Sequence, residues 1–218
     1  MNRGIFLALF FVVIVFLLLT ASCTGNHNQW KIGENIINSS TLELQAGQSA
    51  IYDGNINSGN FKNFDFKACI THSDGAKASL WFHSDSTLSK GYSIFIGNPT
   101  DDYRRSGSLA SVRNLYKPVP ASFDLEVKIE GKRIVVWIDS FRVVDYLEPA
   151  APFRTTAHAK QLLSSGLIGF RVESGMLNVA SANIIPLSDN LPNYPDGGTF
   201  RRTGRCSDPF AATGFSCD

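Results

Sequence analysis

Trp81, His83, Ser93, Phe95, Arg171 and Glu173 stand at spacings that can bring their side chains to one surface. In an extended strand, successive side chains point to opposite faces. If Leu80 and Phe82 face a core, Trp81 and His83 share the other side. By the same rule Tyr92, Ile94 and Ile96 turn inward, which leaves Ser93 and Phe95 opposite. Inward Ile168, Phe170 and Val172 leave Gly169, Arg171 and Glu173 outward. Such a set suits a saccharide. An aromatic face covers the apolar side of a pyranose ring, and Arg and Glu donate to and accept from hydroxyls through charge-assisted bonds. Trp81 and Phe95 could instead pack beneath a loop or the C-terminal tail.

Other chemistry is less well supplied. Asn98, Asp101 and Asp102 form an oxygen-rich loop that could hold Ca²⁺ or could be solvated turn residues. His27, His72 and His158 show no ligand spacing and read as surface histidines. The four cysteines form no C-x-x-C pair, which argues against a zinc or redox site. Ser106-Gly107-Ser108 and Ser164-Ser165 lack the strand–turn–helix setting of a nucleophile elbow. There is no Gly-Lys-Ser/Thr phosphate loop and no dinucleotide fingerprint, so no cofactor is implied. The formal charge of +1, with no basic stripe, argues against nucleic acid as a partner.

The elements that must carry these residues are strands. Phe64, Phe66, Ala68 and Ile70 alternate with Asp65, Lys67, Cys69 and Thr71. Phe123, Leu125, Val127 and Ile129 alternate with Asp124, Glu126, Lys128 and Glu130. Gly131-Lys132 then reverses the chain, and Ile134, Val136 and Ile138 resume the pattern, so 123–139 reads as a hairpin. Further strands are expected at 41–45, 50–52, 78–83, 92–96, 109–112, 142–146, 167–172 and 177–185. About ten short strands with Gly, Asn and Asp turns predict an all-β sandwich or barrel. One helix of a turn or two is expected over 156–163, started by Thr155 or Thr156 and followed by Gly166.

The ends have their own composition. Arg3 precedes an apolar run from Ile5 to Leu19, the length of a signal-peptide core rather than of a membrane span. Thr20, Ala21, Ser22 and Cys23 follow and resemble the cleavage box of bacterial lipoproteins. Thr20 stands where that box usually has Leu. The resemblance implies a lipid on Cys23 and a place in the cell envelope, anchored to a bacterial membrane; an uncleaved anchor is the other reading. The expected organisation is a signal peptide over 1–22, a tether over 23–30, a β-domain over 31–187 and a tail over 188–218. In an oxidising compartment Cys206 and Cys217 could form a disulfide. Cys69 is then left as a small buried hydrophobe.

A longer pattern runs through the domain. It starts at Asn63-Phe64-Asp65-Phe66 and continues through Gly91-Tyr92-Ser93-Ile94-Phe95-Ile96 and Ser106-Gly107-Ser108-Leu109. Val112-Arg113-Asn114-Leu115-Tyr116-Lys117 and Glu130-Gly131-Lys132 come next. Val135-Val136-Trp137-Ile138-Asp139 and Val143-Val144-Asp145-Tyr146 follow. Gly166-Leu167-Ile168-Gly169-Phe170 and Asn183-Ile184-Ile185-Pro186-Leu187 close it. In order and spacing this resembles the 3-keto-disaccharide hydrolase family. The resemblance implies a concanavalin-like jelly roll of two antiparallel sheets, acting on glycosides whose third carbon is a ketone.

The departures fall where function would sit. His83 replaces a frequent Arg, Ser93 a Glu, and Ala121-Ser122-Phe123 a Gly-Glu-Trp. Asp139-Ser140 replaces Asn-Gly, and Arg171-Val172-Glu173 replaces Gln-x-His. A ketone acidifies the neighbouring C–H, so a single base suffices for elimination. His83 or Glu173 could be that base, and Arg171 could stabilise the enolate oxygen. Trp81, Ser93, Phe95 and Asp139 are the substrate-binding candidates. Arg113, Asn114 and Tyr116 could join them at the site edge or could simply fix a loop. A non-catalytic glycan-binding lipoprotein and a structural envelope protein are the rival readings.

Overall fold

The computed structural model describes residues 29–54 and 60–189. Cys23, His27, Cys206 and Cys217 lie outside the described residues. The strands are β1 (Gln29–Ile32), β2 (Asn35–Asn38), β3 (Thr41–Gln45), β4 (Ser49–Tyr52), β5 (Phe64–His72) and β6 (Lys77–Ser84). They continue with β7 (Tyr92–Ile96), β8 (Ser122–Glu130), β9 (Arg133–Ile138), β10 (Phe141–Leu147), β11 (Leu167–Ser174) and β12 (Met176–Pro186). They form two six-stranded antiparallel sheets, ordered β2-β1-β4-β11-β6-β7 and β10-β9-β8-β5-β12-β3. This is the expected jelly-roll sandwich. β1 and β2 are additions to the expected set, and β1 takes Gln29 and Trp30 from the segment read as tether. The 109–112 strand is instead a turn whose Leu109 bridges Ile94 and Arg113. The helix is a single 3-10 turn, Thr156–His158, with no side-chain cap.

The core follows from alternation. In β5, Phe64, Phe66, Ala68 and Ile70 are buried, and β8 opposes them with Ile129, Val127, Leu125 and Phe123 in register. The other sheet contributes Leu80 and Phe82 from β6, Ile94 and Ile96 from β7, and Ile168, Phe170 and Val172 from β11. Aromatic rings join the layers: Phe64 meets Phe82 at 6.1 Å and Phe66 meets Phe170 at 6.0 Å, both edge to face. Phe82 also stacks on Tyr92 at 6.0 Å.

The outer face of the β10-to-β3 sheet is a charge ladder. Lys67 reaches Glu126 at 3.2 Å and Asp65 at 3.6 Å, and Arg133 reaches Asp145 at 2.7 Å. Cys69 stands on this exposed face, where its thiol donates to Asp124 Oδ1 at 3.1 Å; it is not the buried hydrophobe expected. His72, read as a surface histidine, is buried at the end of β5 beside Phe123.

His83 breaks the alternation. Its φ is +53°, left-handed, so its ring follows Phe82 into the interior and is only 4% exposed. Nε2–H donates to Lys62 O at 2.9 Å, and Nδ1 accepts from Ser164 N–H at 3.2 Å. Both partners demand the neutral Nε2–H tautomer. Burial accordingly pushes the imidazole pKa down to about 4.

Two expectations follow. Phe82→Ala removes a ring that bridges the sheets and should cost about 3–5 kcal/mol in urea unfolding. His83 binds a proton more readily when unfolded, so between pH 6.5 and about 4 the unfolded chain carries more protons. Stability should therefore fall as pH drops through that window, by up to about 3 kcal/mol. Unfolding curves of His83→Gln should have lost that part of the slope.

Candidate functional site

The outer face of the β2-to-β7 sheet carries a hollow of about 250 Å³. Register builds its floor. Trp81 lies opposite Gly169 on β11 and Ser93 on β7, and Ser79 lies opposite Arg171 and Phe95. Trp81, Ser93, Phe95 and Glu173 line the hollow together, and Ser79 joins them. Trp81 Nε1–H donates to Ser79 Oγ at 2.8 Å, which fixes the indole plane.

One wall is the loop after β7. Its 105–108 stretch runs beside β7, with Phe95 N–H donating to Ser108 O at 2.8 Å and Gly107 N–H to Phe95 O at 2.9 Å. This holds Arg104 over the Phe95 ring, 4.8 Å from its centroid. Asp102 accepts from Arg104 Nη2 at 2.6 Å and from Nε at 3.0 Å, leaving Nη1 toward other partners. These bonds hold the Asp102 carboxyl below the usual carboxylate range. The Glu173 charge acts on Arg104 as well. Phe95 thus supports a guanidinium rather than offering a bare ring.

A second wall is a strap, residues 148–166, which supplies His158, Lys160 and Gln161. Gly91 N–H donates to Lys160 O at 3.0 Å, Gln161 Nε2 donates to Ala110 O, and Arg154 Nε donates to Gln161 O at 3.0 Å. The strap is tied at Glu148, whose side chain has 0% exposure. Glu148 Oε1 accepts from Tyr92 OH at 2.7 Å and Leu163 N–H at 2.9 Å, and Oε2 accepts from Lys132 Nζ at 2.8 Å. Arg154 Nη2 stands 4.0 Å from Oε1 and also donates to Tyr146 OH at 3.1 Å. Burial, then the bond to Glu148, pushes the Tyr92 phenol pKa far up.

The third side is the turn over 85–91. Leu88 drops onto Gly169, where an added Cβ would stand 3.0 Å from Leu88 Cδ2 and 2.7 Å from Ala50 O. Asp85 ties this turn by accepting from Ser89 N–H at 3.1 Å and Thr87 Oγ1 at 2.9 Å.

Four of the expected residues therefore meet: Trp81, Ser93, Phe95 and Glu173. His83 does not; it is sealed inside the sandwich by its left-handed backbone, so it cannot face the hollow as a base. Arg171 is exposed on the same sheet face but does not line the hollow. Asp139 sits in the β9–β10 turn on the other sheet, where Oδ1 accepts from Asp124 N–H. Arg113 and Asn114 follow the Leu109 turn, and exposed Tyr116 stacks on Tyr103 at 5.9 Å; none of the three lines the hollow. Asn98, Asp101 and Asp102 do not converge on a cation site. Asn98 Nδ2 donates to Val119 O at 2.7 Å, Lys77 takes Asp101 at 2.6 Å, and Arg104 takes Asp102. Among the described residues no group of three or more His, Cys, Asp or Glu is placed to hold a metal.

Sequence reasoning missed Ser79, Arg104, Lys160 and Gln161; His158 is exposed, as expected, and borders the hollow from the strap. Parity with Trp81 would have found Ser79. The Asp102-x-Arg104 spacing hinted at a fixed arginine, whereas nothing local announces the strap.

The structure can be set beside known proteins. A candidate glycosyl hydrolase from Parabacteroides distasonis superposes with a TM-score of 0.58 at 10% identity, over 73% of this chain and 88% of the other. A second from the same organism gives 0.51 at 15% identity, over 73% and 100%. The carbohydrate-binding module CBM66 from Bacillus subtilis gives 0.49 at 15% identity, over 73% and 96%. The first two share the fold. No curated protein matches the sequence. A family model does match, over residues 22–184, which hold both sheets almost entire and all the residues of the hollow. The chain therefore belongs to the 3-keto-alpha-glucoside-1,2-lyase-like domain family.

Proposed function

We propose that the hollow seats one ring of a glycoside against Trp81 and that Glu173 acts as the base in eliminative cleavage of a 3-keto-glycoside. One observation carries this reading: among the described residues that line the hollow Glu173 is the sole carboxylate, and it stands with an indole face and the Arg104 guanidinium. Hydrolysis of an ordinary glycoside uses two carboxyl groups across the scissile bond. A C3 ketone removes that need. Glu173 takes the proton from C2, and the electron pair moves onto the C3 oxygen as an enolate. The enolate then collapses to the C3 ketone, the C1–O bond breaks as C1=C2 forms, and the departing aglycone oxygen takes back the proton held by the Glu173 carboxyl. Arg104 Nη1 is the donor we assign to the enolate, in place of Arg171. Ser79, Ser93 and Gln161 supply hydroxyl and amide groups for the ring.

The second reading is a glycan-binding domain without turnover. It is favoured by the sealing of His83, which removes one of the two alternative bases that the sequence offered. Kinetics on a 3-keto-glucoside separate the two. Glu173→Gln should lower kcat about 10²–10⁴-fold, whereas Trp81→Ala should act mainly on KM. Sugar binding with no turnover by the unaltered protein would favour the second reading.

We also propose that the protein works in the cell envelope, held at a bacterial membrane through a lipid on Cys23. The small residues before Cys23 and the apolar run before them support this. Labelled fatty acid should enter the protein in cells and be lost in Cys23→Ser; label that persists in the variant would refute the anchor.

A further inference from the structure

Charge on the hollow is lopsided. From Pro149 to Val172 the chain has no Asp or Glu, yet it carries Arg154, His158, Lys160 and Arg171. Arg154 is spent on the Glu148 cluster. His158 and Lys160 line the hollow, and Arg171 lies beside it, one strand over from Ser79. The acids near the rim are already taken. Asp102 is held by Arg104 at 2.6 Å, and Asp85 is held by its turn and by Lys90 at 3.5 Å. That leaves Glu173 against Lys160 and Arg171. Among the described residues neither of these cations has a carboxylate within 4.0 Å. A neutral sugar would leave them unanswered.

We infer that the ring bound here carries an anionic substituent, carboxylate or sulfate, directed toward Lys160 on the strap, with Arg171 adding to the positive field from beside the hollow. This rests on the glycoside reading above and narrows its substrate class to acidic glycosides. The opposite charge of Glu173 sets the direction: the anion sits at the strap side, and the ring carbon to be deprotonated sits at the β11 side. Both cations are solvent-exposed, so each contributes modestly and is screened by salt.

Binding of methyl glucoside, methyl glucuronide and methyl glucoside 6-sulfate to the mature full-length protein tests this, by calorimetry at low and at 0.5 M salt, beside turnover of a 3-keto-glucoside. The glucuronide or the sulfate should bind about three- to tenfold more tightly than the neutral glucoside at low salt, and the advantage should shrink at high salt. Lys160→Gln with Arg171→Gln should erase it, so that the variant binds all three sugars with one affinity. Preference for carboxylate over sulfate, or the reverse, identifies the substituent. Neutral and anionic sugars bound alike, with the 3-keto-glucoside still accepted, overturn this inference and leave the glycoside reading standing. No binding of any sugar and no turnover overturn both.

Discussion

The carboxylate of Glu148 has no side-chain surface in solvent, and it accepts hydrogen bonds from a phenol, a backbone amide and an ammonium. A buried charge is tolerable only when so fully met. Each partner comes from a different part of the chain: Tyr92 opens β7, Lys132 turns the β8–β9 hairpin, and Leu163 closes the strap. Satisfying one buried carboxylate therefore fixes a β7-edge strand, a hairpin of the opposite sheet and the wall that brings His158, Lys160 and Gln161 to the hollow. Arg154 then braces that wall through Gln161 O. Apolar layers alone would leave this connection free to drift over the sheet edge.

The two outer faces divide the work. On the β10-to-β3 sheet, opposed charges satisfy one another from strand to strand, and the surface is simply solvated. On the β2-to-β7 sheet, the outward row is Gly169, Trp81 and Ser93, then Arg171, Ser79 and Phe95. It is small, aromatic and sparsely charged, and three loop segments stand around it. That contrast places recognition on one face. It also accounts for Asp139, which has the right chemistry on the wrong sheet.

Period-two patterning was enough to read β5, β8 and β9, because their inward residues are apolar up to His72 and Gly131-Lys132 joins β8 to β9 directly. β6 was read correctly through Phe82 and then failed at one residue, since nothing in Leu-Trp-Phe-His foretells a left-handed φ at His83. Its cause is tertiary: Lys62 O and Ser164 N–H sit ready to bind both ring nitrogens. Trp81, Ser93, Phe95 and Glu173 were legible because strand parity alone decides their side. Arg104, Lys160 and Gln161 were not, because they stand on irregular backbone whose course is set by long-range partners such as Asp102, Ala110 and Glu148. β2 escaped because it shows no alternation: its two apolar residues, Ile36 and Ile37, are adjacent and both exposed.

Gly169 lies at the centre of the patterned face, where Leu88 rests against its backbone. A methyl group there would stand 2.7 Å from the β4 carbonyl of Ala50, too close to fit, and 3.0 Å from Leu88, whose side chain would have to give by a few tenths of an ångström. The aperture is thus gauged by a missing side chain beneath a loop rather than by the groups that touch a guest. A bulkier residue at this position would press on the β4 backbone and on Leu88, and so would alter the border of the hollow without touching its recognition chemistry.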